Sequence, residues 1–174
     1  MNKPALLAVM VALSVSTDYA LIGVLNVKVM DMLVFLSGIW MGPIYGAAAG
    51  ALSWMVYGTV NPFGFNLVIF FTVVPMEMLY GVLGGLLQDR ARLPGLDNAW
   101  LFGVVGLGAT LSYDLVTNAV YGVVFYQSVL NGIIMGSLLS VVHVVSNFLQ
   151  FMIVAPIVVV EADRSVFRRL SRLA

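Results

Sequence analysis

Five ionisable side chains, Asp18, Asp31, Glu77, Asp114 and the single histidine His143, stand inside apolar stretches of a 174-residue chain that is 61% hydrophobic and only 9% charged. At bilayer depth such a group needs a partner, a proton or an aqueous cavity. Two of the five belong to polar stripes. Asp114, Asn118 and Tyr121 recur at i, i+4 and i+7 with Thr117 alongside, and Ser140, His143, Asn147 and Gln150 form a second helical face. The chemistry open to these groups is solute binding, proton carriage or interhelical hydrogen bonding. Acids left unpaired would make an anionic pocket suited to an amine, an imidazolium-like ring or another cation. Asp18 and Asp31 can instead neutralise Lys28. A connector from Tyr57 to Asn66 adds Asn61, Phe63 and Asn66 among turn-forming residues. It reads either as a lid over a pocket or as an interfacial turn with aromatic anchors.

Covalent catalysis is not expected from this set, and the chain is read as a non-enzyme. With no cysteine there is no thiolate nucleophile, disulfide or thiolate metal site. One histidine without cysteines makes a poor metal site, so neither metal nor cofactor is expected. Ser140 or Ser146 beside His143 lacks the Gly-x-Ser-x-Gly elbow. Tyr113-Asp114 is similar to the first catalytic aspartate of intramembrane aspartyl proteases, but the Gly-x-Gly-Asp half is missing. Neither Lys3 nor Lys28 sits in a phosphate-binding loop, so any ATP must be hydrolysed by a partner. The formal net charge of +0 offers no basic field to nucleic acid.

The elements that position these groups follow from where charge is confined. No Lys or Arg occurs between Lys28 and Arg90 or between Arg92 and Arg164, and the mean hydropathy is +1.04. Charge kept to a few edges marks a chain whose surface faces lipid. Apolar runs cover residues 5–25, 29–60, 65–87, 99–125 and 129–160. The run continuing past Ser14 and Ser16 through Tyr19 to Leu25 reads as a full span and not as a signal peptide. The second run is too long for one span of about 20 residues, and Gly42-Pro43 divides it into 29–41 and 43–60. Six spans then put Lys3, the Gln88–Asp97 connector and the tail with Arg164, Arg168, Arg169 and Arg172 on the cytoplasmic side, and five would not. The prediction is one domain, an all-α integral membrane protein of six transmembrane helices. Its basic tail, 161–174, lies along the inner surface. At about 1.5 Å per residue, Asp18 and Asp114 stand roughly 20 Å and 22 Å up their spans, in the outer half with Asp31. Glu77 and His143 fall roughly 18 Å and 21 Å below the outer start of theirs, at or below the middle.

Small residues recur at four-residue spacing: Gly42, Gly46 and Gly50, Gly81 with Gly85, Gly132 with Gly136, and Ala8 with Ala12. That spacing sets them on one helix face, where backbones can approach closely. The run from Val27 through Lys28, Asp31, Trp40 and Gly42-Pro43 to Gly50 resembles the substrate-binding (S) subunits of energy-coupling factor (ECF) transporters. In that family a short second span ends in an apolar-Gly-Pro turn and a Gly-rich third span follows. Ala8 and Ala12 are similar to the family's Ala-three-residues-Ala pattern on the first helix. The resemblance continues over Pro62 to Gly85 and in chain length, so it covers nearly the whole protein.

The resemblance implies a protein of a prokaryotic cytoplasmic membrane, with both termini inside, that captures a small water-soluble vitamin or vitamin precursor. It implies docking through Ala8 and Ala12 onto a membrane coupling subunit driven by two ATPases. The external connectors and adjoining helix ends would line the site: Asn61, Phe63 and Asn66, with Asp114, Asn118 and Tyr121. Glu77, His143 and Asn147 complete the substrate-binding set expected here, and a histidine and a glutamate facing an aromatic ring would suit a thiamine-like or pyrimidine ligand. Two other readings fit a chain of this kind. One is a structural membrane protein of a cell-shape complex, which needs no outward pocket. The other is a stand-alone proton-coupled carrier with Glu77 or Asp114 as the protonated group.

Overall fold

The computed structural model describes residues 2–60, 62, 64–91 and 96–170. Regular structure among them is entirely helical. In chain order the helices are α1 (Lys3–Ala20), α2 (Met30–Met41), α3 (Pro43–Val60), α4 (Leu67–Leu86), the single turn α5 (Gln88–Ala91), α6 (Leu96–Tyr126), α7 (Val129–Leu149), a π-helical turn (Gln150–Val154) and α8 (Ala155–Leu170). Among the described residues three stretches are long and apolar enough to cross a membrane: Leu67–Leu86, Asn98–Tyr126 and Val129–Ala162. Large apolar side chains such as Phe71, Met135, Leu138 and Val141 are exposed on them, a surface that suits lipid better than water.

The middle of the bundle is α2. Its sequence is apolar nearly all round, as befits a helix enclosed by others, and α1, α3 and α4 all pack on it. Val34, Phe35, Leu36 and Ile39 are buried, and Phe35 meets Phe102 edge-on at 5.2 Å and Phe151 at 4.9 Å. With 12 residues, α2 is only about 18 Å long, short of the roughly 30 Å hydrocarbon core of a bilayer. Side chains from α1 satisfy both of its ends. The Asp18 carboxylate accepts from the backbone N–H groups of Val29 at 3.3 Å and Met30 at 3.2 Å, and Lys3 Nζ donates to the Met41 carbonyl at 2.9 Å. An anion thus meets the positive end of the helix dipole and a cation the negative end.

Glycine fixes how α2, α3 and α4 approach one another. A methyl group on Gly46 would collide with the Gly81 carbonyl, one on Gly81 with the Gly46 carbonyl, and one on Gly84 with the Phe35 carbonyl. The four-residue glycine spacing of the sequence is therefore used for backbone contact inside the molecule. Gly42, at φ +93°, makes the turn between α2 and α3. Side chains are strained at such an angle, and Pro43 then opens α3 where a missing amide costs nothing.

The first apolar run departs from expectation. Helix α1 stops at Ala20, and residues 21–29 form a strap of turns and not the end of a span. Apolarity does not distinguish a helix from a strap packed on a bundle. A tertiary contact holds the break: Asn26 adopts φ +47° and donates to the Leu139 carbonyl at 2.9 Å. The last helix also departs from α geometry. Pro156 has no amide to donate to the Met152 carbonyl, and the chain passes through the π-helical turn just before it. Phe151, Ala155 and Val159 nonetheless stay buried in one row. The backbone continues helical to Leu170; the basic side chains of the tail lie outside the described residues.

Candidate functional site

Because α2 is short, the strap must descend to reach its first residue. The space left beside it is a cavity of about 810 Å³, where α1, α3 and α6 finish and α4 begins. Its walls are largely apolar: aliphatic side chains such as Leu21, Ile69 and Leu139 stand beside the aromatic Trp54, Tyr57, Phe65, Phe70, Tyr121 and Phe125. Asp18 and Lys28 are its charged lining groups. The volume suits a small organic solute. Lys28 lays its ammonium over the Trp54 ring at 4.9 Å and the Tyr113 ring at 5.3 Å, a cation–π arrangement. Burial opposes its charge, but the neighbouring Asp31, Asp18 and Glu77 outweigh that and hold its pKa above the ordinary lysine value.

Beyond Lys28 lies a buried polar layer. His143 bridges two acids, with Nε2 2.7 Å from Asp31 Oδ2 and Nδ1 3.0 Å from Asp114 Oδ1. Carboxylates only accept and a neutral imidazole has one N–H, so both contacts are hydrogen bonds only when the three groups share two protons. Asn147 Nδ2 donates to the same Asp31 oxygen and, at 2.8 Å, to Thr110 Oγ1. Tyr80 donates to Thr110 from the other side at 2.9 Å. Glu77 takes a hydrogen bond from Trp54 Nε1 at 3.0 Å, and Gln150 donates to the Lys28 carbonyl at 3.0 Å. Removing charges from water is costly; these mutual bonds offset part of that cost, while Asp31 Oδ1, Glu77 Oε1, Asp114 Oδ2, Asn147 Oδ1 and Gln150 Oε1 are buried without a hydrogen-bond partner among the described residues. Among the described residues no group of three His, Cys, Asp or Glu side chains is arranged to hold a metal ion.

Of the side chains expected to bind solute, Asn66 and Tyr121 line the cavity. Asn61 and Phe63 lie outside the described residues. Glu77, Asp114, Asn118, His143 and Asn147 do not line it. Asn118 is spent on an interhelical bond, donating to Ser140 Oγ at 2.9 Å. The depth assignment that separated Asp114 from His143 is corrected, because the two are in contact. Helix α6 has 31 residues, about 46 Å, so counting from its far end sets Asp114 too near the rim. Counted from the α6–α7 hairpin, Asp114 and His143 both stand roughly 20 Å along. Ala8 and Ala12 are exposed on α1.

Lys28, Trp54, Phe70, Phe125 and the strap itself are lining groups that the sequence does not announce, whereas Tyr57 opens the connector read as a lid or an interfacial turn. One signal was present: a lone lysine directly before a helix too short to cross a bilayer implies a chain that dips inward. No protein-family profile, curated protein or solved structure matches the chain.

Proposed function

We propose that the chain is the substrate-binding subunit of an ECF-type transporter. In this reading α1, α2, α3, α4, α6 and α7 are the six crossings of a prokaryotic cytoplasmic membrane. The cavity captures a small water-soluble vitamin or vitamin precursor from outside, and a coupling subunit with two ATPases drives delivery. The observation that carries the reading is the apolar cavity of about 810 Å³, with six aromatic side chains in its wall, over the strap and the short α2. The glycine-locked α2–α3–α4 unit supports it, since a fixed base lets helix ends alone shape a pocket. The exposed Ala8 and Ala12 with Val9 and Leu13 on α1 offer a flat face to a partner helix.

Titration of the protein in lipid nanodiscs with water-soluble vitamins tests capture. One solute per chain should bind, and Tyr121→Ala should weaken binding. Binding of no vitamin would favour a structural role in a cell-shape complex. For docking, Ala8→Trp combined with Ala12→Trp should abolish uptake in cells while leaving binding intact; undiminished uptake would remove α1 from that role.

A second reading, a carrier working alone on a proton gradient, draws on the Asp31–His143–Asp114 bridge, whose shared protons suit a relay. Uptake by proteoliposomes lacking any ATPase would establish it over the first.

A further inference from the structure

The acids that suggested a cationic ligand are turned away from the cavity. Asp31 and Asp114 are engaged with His143, and Glu77 with Trp54; none of the three lines it. Asp18 does, but its Oδ1 caps α2 and its Oδ2 is buried. The ammonium of Lys28 has the opposite character. No carboxylate among the described residues comes within ion-pairing distance of it, and none of their hydrogen bonds engages Nζ. An enclosed nitrogen without a partner would stand among the buried unpaired atoms; Nζ does not, so it keeps accessible surface on the cavity it lines. Asn66 contributes in the same sense. Its Oδ1 is occupied by the Val68 and Ile69 N–H groups, which leaves its amide N–H₂ as the polar group still free to bind.

Among the described residues the cavity therefore offers donors and aromatic faces in an apolar wall, and its one accessible charge is positive. We propose that its solute is an organic acid with a planar or apolar body, and that Lys28 receives the carboxylate while the apolar wall, with Trp54 and Tyr121 in it, holds the body. Carboxylate and ammonium form a charge-assisted hydrogen bond at closer range than any protein acid now stands. This inference rests on the capture reading and narrows it to a class of substrate.

The test uses the full chain in nanodiscs. Solutes released from the freshly purified protein by denaturation are identified by mass spectrometry. Calorimetric titrations compare the carboxylate vitamins biotin, pantothenate, folate and nicotinate with neutral riboflavin and pyridoxine and cationic thiamine. The best-binding acid is then compared with its own amide. The released solute should carry a carboxylate, and the acid should bind about ten- to a hundredfold more tightly than its amide. Lys28→Gln should erase that ratio, whereas Lys28→Arg should retain most of it. If Lys28→Gln does not fold, the wild-type ratio and the Lys28→Arg result decide. Preference for thiamine or a neutral vitamin, an acid-to-amide ratio near one, or a ratio unchanged in folded Lys28→Gln overturns the inference and leaves capture standing. No released solute together with no binding by any vitamin overturns capture itself, and the inference with it.

Discussion

The two ends of α2 are built by opposite means. Toward its C-terminus, α2, α3 and α4 touch backbone to backbone through Gly38, Gly46, Gly81, Gly84 and Gly85. Around its N-terminus the walls are long side chains, and a strap tied down by single hydrogen bonds: Asn26 and Gln150 donate to the Leu139 and Lys28 carbonyls, and Asp18 accepts from the Val29 N–H. Contact between backbones admits one geometry, because nothing in it can rotate away. Side chains over a cavity can be exchanged without moving a helix. The molecule thus keeps its tolerance for change where a solute would sit and its intolerance where the helices are set.

Substitutions can break that contrast, and the largest effect belongs to the glycine seam. Gly81→Leu places carbon against the Gly46 backbone, where no rotamer relieves the clash. It should cost about 3 kcal/mol or more, seen as loss of the monodisperse species in size exclusion and of cooperative thermal unfolding. If Gly81→Leu unfolds like wild type, the backbone seam is not what fixes the bundle.

The polar layer comes next. His143→Leu leaves Asp31 and Asp114 facing each other without the ring between them and should destabilise by about 3–5 kcal/mol. Removing both acids together with His143 should recover much of that loss, because hydrophobic replacement of a whole buried ionic group is often close to neutral. Thermal unfolding in a fixed detergent compares the two, and a triple variant no better than the single one would argue against a purely electrostatic origin.

Asp18→Ala removes the side-chain cap of α2 and should cost about 1 kcal/mol. Hydrogen exchange should rise first at Val29 and Met30, whose amides it satisfies. The smallest effect on stability should come from the wall. Tyr121 is 43% exposed, and Tyr121→Leu should change unfolding by no more than about 0.5 kcal/mol while altering solute affinity. A large loss of stability there would show that the cavity wall is also scaffold.

Much of the helical plan is legible in the sequence because its signals are local. The Gly42-Pro43 break, the glycine spacing and the helix ends near Val60, Leu67 and Tyr126 each follow from residues within a turn or two. The strap over residues 21–29 is not legible, since Leu21, Ile22, Val24 and Leu25 are as apolar as any span. Only tertiary contacts, such as Asn26 with Leu139 and Gln150 with Lys28, draw the chain inward. The polar stripes are readable as stripes, but their direction is not. Whether Asp114 faces water or His143 depends on the register of the α6–α7 hairpin, and a count from the wrong end of a 31-residue helix misplaces it.

The brevity of α2 also has an electrical side. With the proposed crossings in a bilayer, a cavity open to water as far as Lys28 would conduct, and hardly any voltage would fall along it. The potential difference between the two faces would be concentrated over the remaining thickness, about the 18 Å of α2 itself. A charged guest would then reach the bottom with little electrical work, and nearly all of the membrane's voltage would lie ahead of it.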